Sequence, residues 1–388
     1  MIVQAAVTML VLLGMSAFVV DYGVLWVGRA QAQNAADAGA VAGGIARAYD
    51  NLDPGPPGSS GIIMEIVQQT VQANPVWFEA ASLAPLSFVC PPNVAGGGPC
   101  VRVDVFRDDS PGSNPLPTFF GPVLGIESQG VRATATAQVA VGNGTNCLKP
   151  WAIPDKWIEG SLPPNDNFER YVEGGASAGA TVTNPDVYDP PTVFGPGSGL
   201  TFGLGNDLGL PITLSFADPD GSEPISAGFL LPLVLPGANT YEENISRCNG
   251  RLVSFGQEVE TGSAAMEVAT AAGFAGLITI SDPGASWDAV TKNVQGGCAP
   301  GCAPISPRLV ALAVFDVDRY QFSRATGWAC VNGGARCVNV VNIVGFFLDH
   351  VEAGGVAGYI ARYPGLVSPD DPTLSAASSF LPAITLVR

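Results

Sequence analysis

The sequence predicts an α+β protein, with one long N-terminal transmembrane helix followed by β-rich, loop-rich extracytoplasmic domains tied by disulfides. Three observations carry that reading. Positions 1–20 are apolar apart from Gln4, Thr8 and Ser16, and they run without a helix breaker into DYGVLWVGRAQAQNAADAGAVAGG at 21–44. Further along, apolar residues come in short alternating or continuous runs separated by Gly, Pro, Asn and Asp. The chain holds 8 cysteines, an even number that suits a disulfide-forming compartment.

At about 1.5 Å per residue the first 20 positions span about 30 Å, the thickness of a bilayer's hydrocarbon core. A buried core helix fits poorly, because the segment has no charged face. A secretory signal peptide cleaved near Ala30-Gln31-Ala32 also fits poorly: the apolar region is too long, and Asp21 and Arg29 lie between it and the alanines. From Gly28 to Ala48 the helix continues with mostly Ala and Gly. Gly28, Ala32, Ala35, Gly39 and Gly43 fall three or four apart and form a ridge of small residues on which a second backbone can approach closely. The ridge packs either on the chain's own globular part or on a neighbouring subunit. Asn51, Pro54, Gly55, Pro56 and Pro57 end the helix.

A second helix is predicted over Ser60–Asn74. Ile62, Ile63, Ile66, Val67 and Val71 recur at helical spacing, Ser60 can cap it and Pro75 stops it. Val101–Arg107 and Val131–Val141 alternate as strands, with Arg102, Asp104, Arg132, Thr134 and Thr136 on one side. Short strands are expected within Thr192–Phe216 and Ile225–Leu235. Arg308–Phe315, Val338–Leu348 and Val356–Tyr363 read as buried strands of one antiparallel sheet. The domain division expected is 1–49, an anchoring helix; 50–142, an α+β region; and 143–388, a β-rich domain.

Composition narrows the partners. The net charge is −17, and Lys149, Lys156 and Lys292 are the only lysines. Nucleic acid and anionic lipid surfaces are poor partners for such a surface. With 47% apolar and 13% charged residues the chain can bury sizeable cores, and 48 Gly with 33 Pro suits a loop-rich β structure. Cys90 and Cys100, and Cys330 and Cys337, each flank a turn and are expected to form local bridges. The pairing of Cys147, Cys248, Cys298 and Cys302 stays open. A zinc site at Cys298 and Cys302 lacks a nearby partner pair, and His350 is the single histidine.

Catalytic patterns are weak. Gly175-Ala-Ser177-Ala-Gly179 satisfies G-x-S-x-G, but Gly-rich sequence precedes it and Ala-Thr-Val-Thr-Asn-Pro follows, where a nucleophile elbow needs a strand and then a helix. His350 reads as a strand-end residue. Gly203-Leu-Gly205-Asn-Asp-Leu-Gly209 misses dinucleotide-loop spacing by one residue. Asp218, Asp220 and Glu223 are a weak calcium candidate, although Asp-Pro-Asp-Gly is also a good turn. No catalytic residue, no metal and no cofactor is therefore expected.

The run from Val19 to Gly44 resembles the N-terminal signature of the Tad (tight adherence) Flp pilus-assembly proteins of the TadE/TadG-like group. Asp21, Arg29, Gln33, Asn34 and Asp37 are the matching positions. Cys147–Asp155 and Ser306–Asp316 are similar to segments of TadG-like periplasmic regions. The resemblance implies a pilin-like layout over residues 1–142. It further implies a single-pass envelope protein with its C-terminal part in the periplasm or at the cell surface. Such a protein would act as a structural or pseudopilin-like component of type IV-like pilus assembly, not as an enzyme. Its partners would be pilus-assembly proteins or pilins, met through the N-terminal helix, together with the membrane. Two departures accompany the resemblance. No Lys or Arg precedes Arg29, so charge counting does not set the orientation, and a start upstream of Met1 is expected. The Asp-x-Ser-x-Ser metal string of some members does not occur. The alternative is an anchored extracellular adhesion module with no part in assembly.

Overall fold

A computed structural model describes residues 2–49, 62–92, 100–155, 157–158, 187–188, 207–221, 225, 228–296, 306–317, 320–321, 324, 336–352, 355–367 and 378–387. The chain divides into two compact units, Met1–Ala140 with Ile384–Arg388, and Val141–Ala383. The α+β class is the one the sequence predicts. The long helix and the region after it form a single unit that the end of the chain rejoins.

In the first unit, α1 (Ile2–Tyr49) is one helix of 48 residues, and α2 (Ile62–Gln72) packs against it. The sheet comprises β1 (Ser82–Leu83), β2 (Cys100–Arg107), β3 (Val131–Gly142) and the end of the last strand, in that order. Strands β2 and β3 pair antiparallel with Val101, Val103 and Val105 opposite Ala137, Ala135 and Ala133. These six side chains are buried in one core with Ala32, Ala35, Ala36 and Ala40 of α1 and Ile63, Val67 and Val71 of α2. Burying each valine contributes about 1.5–3 kcal/mol. The alternate residues face away: Arg102 and Arg132 are exposed, and Arg102 pairs with Asp104 at 3.4 Å. Thr136, expected with them, is buried.

One buried cation stitches the loops of this unit. Arg107 donates from Nη1 to the carbonyls of Val76 and Trp77 at 2.7 and 3.2 Å, from Nε to Asn114 at 2.6 Å, and from Nη2 to the Glu79 carboxylate at 2.8 Å. These bonds offset the cost of burying a guanidinium. They also hold the turn in which Trp77 (φ 48°) and Phe78 (φ 67°) adopt left-handed backbone, which non-glycine residues do at a cost.

The second unit is built on β4 (Leu148–Pro154), β5 (Pro211–Phe216), β6 (Phe229–Val234), β7 (Glu258–Thr261), β8 (Leu309–Phe315), β9 (Cys337–Glu352) and β10 (Gly355–Ala361). Their order is β5-β10-β9-β7-β6-β4-β8, with β5 also paired to β6 and β9 to β8, so the pairings close a ring. The runs expected as one antiparallel set, β8, β9 and β10, pair antiparallel as β8–β9 and β9–β10. The sheet as a whole is mixed: β4 runs parallel to β8 and β5 parallel to β6, while its other pairings are antiparallel. Successive apolar runs encode the antiparallel neighbours; the parallel pairing of β4 with β8 joins segments about 160 residues apart and leaves no local pattern. Both faces of β8 are buried, Val310, Leu312 and Val314 in one cluster and Ala311, Ala313 and Phe315 in another.

Two short helices cover this sheet. The first, α3 (Tyr241–Ser246), opens with a capping box between Thr240 and Glu243. The second, α4 (Glu267–Gly276), lies within the helical run Ala264–Ser281, which is long and apolar enough by composition to cross a membrane. Here it sets the Phe274 ring 4.7 Å from that of Trp151 in the core. The final strand, β11 (Ser378–Val387), carries Phe380 and Leu381 into the two clusters of this unit.

Candidate functional site

The residues singled out by the sequence converge on α1, whose two halves have different surroundings. In the first half Val3, Val7, Met9, Val11, Met15, Phe18 and Val19 are 52 to 76% exposed. These exposed apolar side chains are unusual for a helix of a soluble protein, which buries its apolar stripe. An aromatic ladder follows, with Phe18 and Tyr22 rings 5.7 Å apart and Tyr22 and Trp26 rings 6.3 Å apart.

Asp21 is the first charged residue and is buried. Its Oδ1 accepts from the Phe119 N–H at 2.7 Å, its Oδ2 from the Gly121 N–H at 2.7 Å, and both oxygens lie within 3.3 Å of the Phe120 nitrogen. Three backbone donors thus satisfy one carboxylate. Gln33 donates from Nε2 to Asp37 Oδ1 at 2.8 Å and to the Thr134 carbonyl at 3.3 Å. Those two motif residues meet and border a groove of ≈ 460 Å³ with Arg102 and Leu386. Arg29 is exposed and lines a separate groove of ≈ 240 Å³ with Tyr22, Trp26 and Arg132. Asn34 faces outward. The motif is therefore not one cluster. Asp21 clamps a loop, Gln33 joins Asp37 to the Thr134 carbonyl of β3, and Arg29 and Asn34 remain on the surface.

The small-residue ridge packs on its own unit. A Cβ at Gly39 would stand 2.8 Å from a Val71 methyl and 3.3 Å from one of Val103; at Gly43 it would stand 2.8 Å from methyls of Val101 and Val67. Gly28 meets Leu116, and Ala32 and Ala35 have no exposed surface. Gln31, which sequence reasoning missed, accepts from the Trp77 N–H at 2.7 Å.

Outside α1, disulfides join Cys90 to Cys100 and Cys147 to Cys248, with Cα separations of 5.1 and 4.4 Å. Cys337 is also disulfide-bonded; Cys298, Cys302 and Cys330 lie outside the described residues. Asp218 accepts from the Asp220 N–H at 2.8 Å within a turn, and Asp220 pairs with Arg336 at 2.7 Å. Glu223 lies outside the described residues, among which no three His, Cys, Asp or Glu side chains group as metal ligands. Ser177 also lies outside them. His350, at the end of β9, is exposed and flanked by Asp349 at 2.8 Å and Glu352 at 3.3 Å; its bond to Asp349 favours the charged ring and raises its pKa above the usual value.

Two buried cations gave no sequence signal beyond their position in strand-like runs. Arg308 donates to the carbonyls of Leu348 and Ala285 at 2.8 and 2.6 Å. Lys149 reaches the Ile245 carbonyl at 2.6 Å, and burial pushes its amine down to about 8.

No curated protein and no solved structure matches the chain. A family model does match. It is that of Tad, described as "Putative Flp pilus-assembly TadE/G-like", a family of membrane-associated proteins, and its match supports a role associated with pilus assembly. The segment that it matches, residues 4–48, lies within α1 and includes most of the apolar half, the Asp21 clamp and the ridge.

Proposed function

We propose that the protein is a structural, pseudopilin-like component of Tad/Flp pilus assembly, anchored as a single span by residues 2–20 with the rest of the chain extracytoplasmic. The observation that carries this reading is the coincidence, in one helix, of an exposed apolar half with the match over residues 4–48. The disulfides suit an oxidising compartment.

Because the ridge is occupied, contact with other pilus components falls to the face of α1 left open. Gly23, Val27, Ala30, Asn34 and Ile45 are exposed there, spaced as one helical stripe. Ala30→Glu should leave membrane recovery and folding intact while abolishing co-purification with pilus components and surface piliation. Unchanged piliation would remove the assembly reading. It would favour instead an anchored adhesion module, the reading supported by the commitment of Gly39 and Gly43 to the chain's own core.

A further inference from the structure

The loop that Asp21 clamps has a composition unlike the rest of this acidic chain. From Ser110 to Ile126 there is no charged residue, and the tip reads Thr118-Phe-Phe-Gly-Pro-Val-Leu-Gly-Ile126. Phe119 is 58% exposed, Phe120 45% and Ile126 49%. The tip is well built. The Thr118 hydroxyl donates to the Ile126 carbonyl at 2.7 Å, the Ile126 N–H donates to the Gly121 carbonyl at 2.9 Å, and Gly125 supplies the left-handed residue (φ 81°) that closes the turn. Its two large aromatic side chains are left exposed.

The clamp also fixes the height of the loop. Residues 2–20 form a helix segment of about 28 Å, close to the hydrocarbon thickness, so a span ending there leaves Asp21 at the hydrocarbon edge. The N–H groups of Phe119, Phe120 and Gly121 lie within 3.3 Å of its carboxylate, so the loop backbone is at that same depth. Tyr22, beside Asp21, and Trp26, about 7.5 Å further along α1, are 48 and 62% exposed and carry side chains that favour the membrane–water boundary. A carboxylate placed there is costly unless hydrogen-bonded, and the loop supplies those bonds.

We propose that the loop Thr118–Ile126 is a second lipid contact, seating Phe119, Phe120 and Ile126 in the interfacial layer beside the point where α1 leaves the bilayer. The proposal rests on the reading of residues 2–20 as a span. Its occupant is lipid because the loop is uncharged, aromatic, and tied to the helix at bilayer-edge depth.

The test places an environment-sensitive fluorophore on Phe120→Cys, Ile126→Cys, Met9→Cys and Gln68→Cys in the full chain with its native disulfides. Each is reconstituted in phosphatidylcholine vesicles carrying nitroxide at a shallow or a deep acyl position. The Met9 label should lose fluorescence to the deep nitroxide and the Phe120 and Ile126 labels to the shallow one, with the exposed Gln68 label losing it to neither. A quenched Met9 label with loop labels open to aqueous iodide overturns the proposal and leaves the anchor standing. Loop labels shielded from both iodide and nitroxide mean that another protein chain covers them, which also overturns it. An unquenched Met9 label removes the anchor reading itself, and the loop contact with it.

Discussion

The Asp21 carboxylate accepts a 2.7 Å hydrogen bond from the Gly121 N–H, joining the end of the apolar half-helix to a loop 100 residues away. A motif residue that reads as a recognition feature is thus also a structural one, since it holds a turn whose own sequence offers no cap for these donors. The first prediction follows directly. Asp21→Ala leaves three backbone N–H groups without their acceptor and should cost about 2 kcal/mol or more, as charged hydrogen bonds do. Limited proteolysis of the full chain should then cut within 118–126. Protection equal to wild type would show that the carboxylate does not hold the loop.

Gly39→Leu should lower the stability of the first unit. The new side chain meets Val71 and Val103, and overpacking costs about 1–3 kcal/mol, against a helix-propensity gain of at most about 1 kcal/mol. A drop in thermal midpoint with residues 4–48 still in the membrane fraction is the expected result. A raised midpoint would mean that the helix and the sheet are not in close contact.

Non-reducing peptide mapping should recover Cys147 linked to Cys248, alongside Cys90 linked to Cys100 and Cys330 linked to Cys337. Replacing Cys147 and Cys248 together by alanine should cost roughly 3–5 kcal/mol, because the bridge closes a loop of 101 residues in the unfolded chain. An urea midpoint unchanged by the replacement would contradict this.

Lys149 gives a pH dependence of known sign. Its amine falls from an ordinary 10.5 to about 8 on burial, so between those values the unfolded chain holds a proton that the folded chain has released. Folding stability therefore rises with pH from about 8 towards 10.5 and is flat below 8 with respect to this group, by an amount on the order of a few kcal/mol. Lys149→Met should remove that slope. Parallel urea midpoints for wild type and variant across the window would refute it.

Much of the first unit was legible because its physics is local. Periodicity located α2 and strands β2 and β3 to within two residues at either end, and the length of the apolar run announced α1. The direction of the ridge was not legible: small residues permit close approach without naming the partner, and only the valines of β2 and α2 supply one. The clamp at Asp21 and the buried Arg107 share that difficulty, since apart from the Glu79 carboxylate their partners named above are backbone groups, which sequence does not distinguish. In the second unit the antiparallel neighbours β8, β9 and β10 were readable as successive apolar runs, while the parallel pairing of β4 with β8 and the Cys147–Cys248 bridge depend on residues far apart in the chain.

α1 runs from Ile2 to Tyr49 without a proline, a shaft of about 72 Å. Its lower third is clad in apolar side chains and its upper half is keyed into the sheet at Gly39 and Gly43. On the proposed anchoring, rotation or tension applied at the apolar end would reach the β2–β3 face along one helix that no proline interrupts. The same helix that is proposed as a mooring would then also be a mechanical coupling.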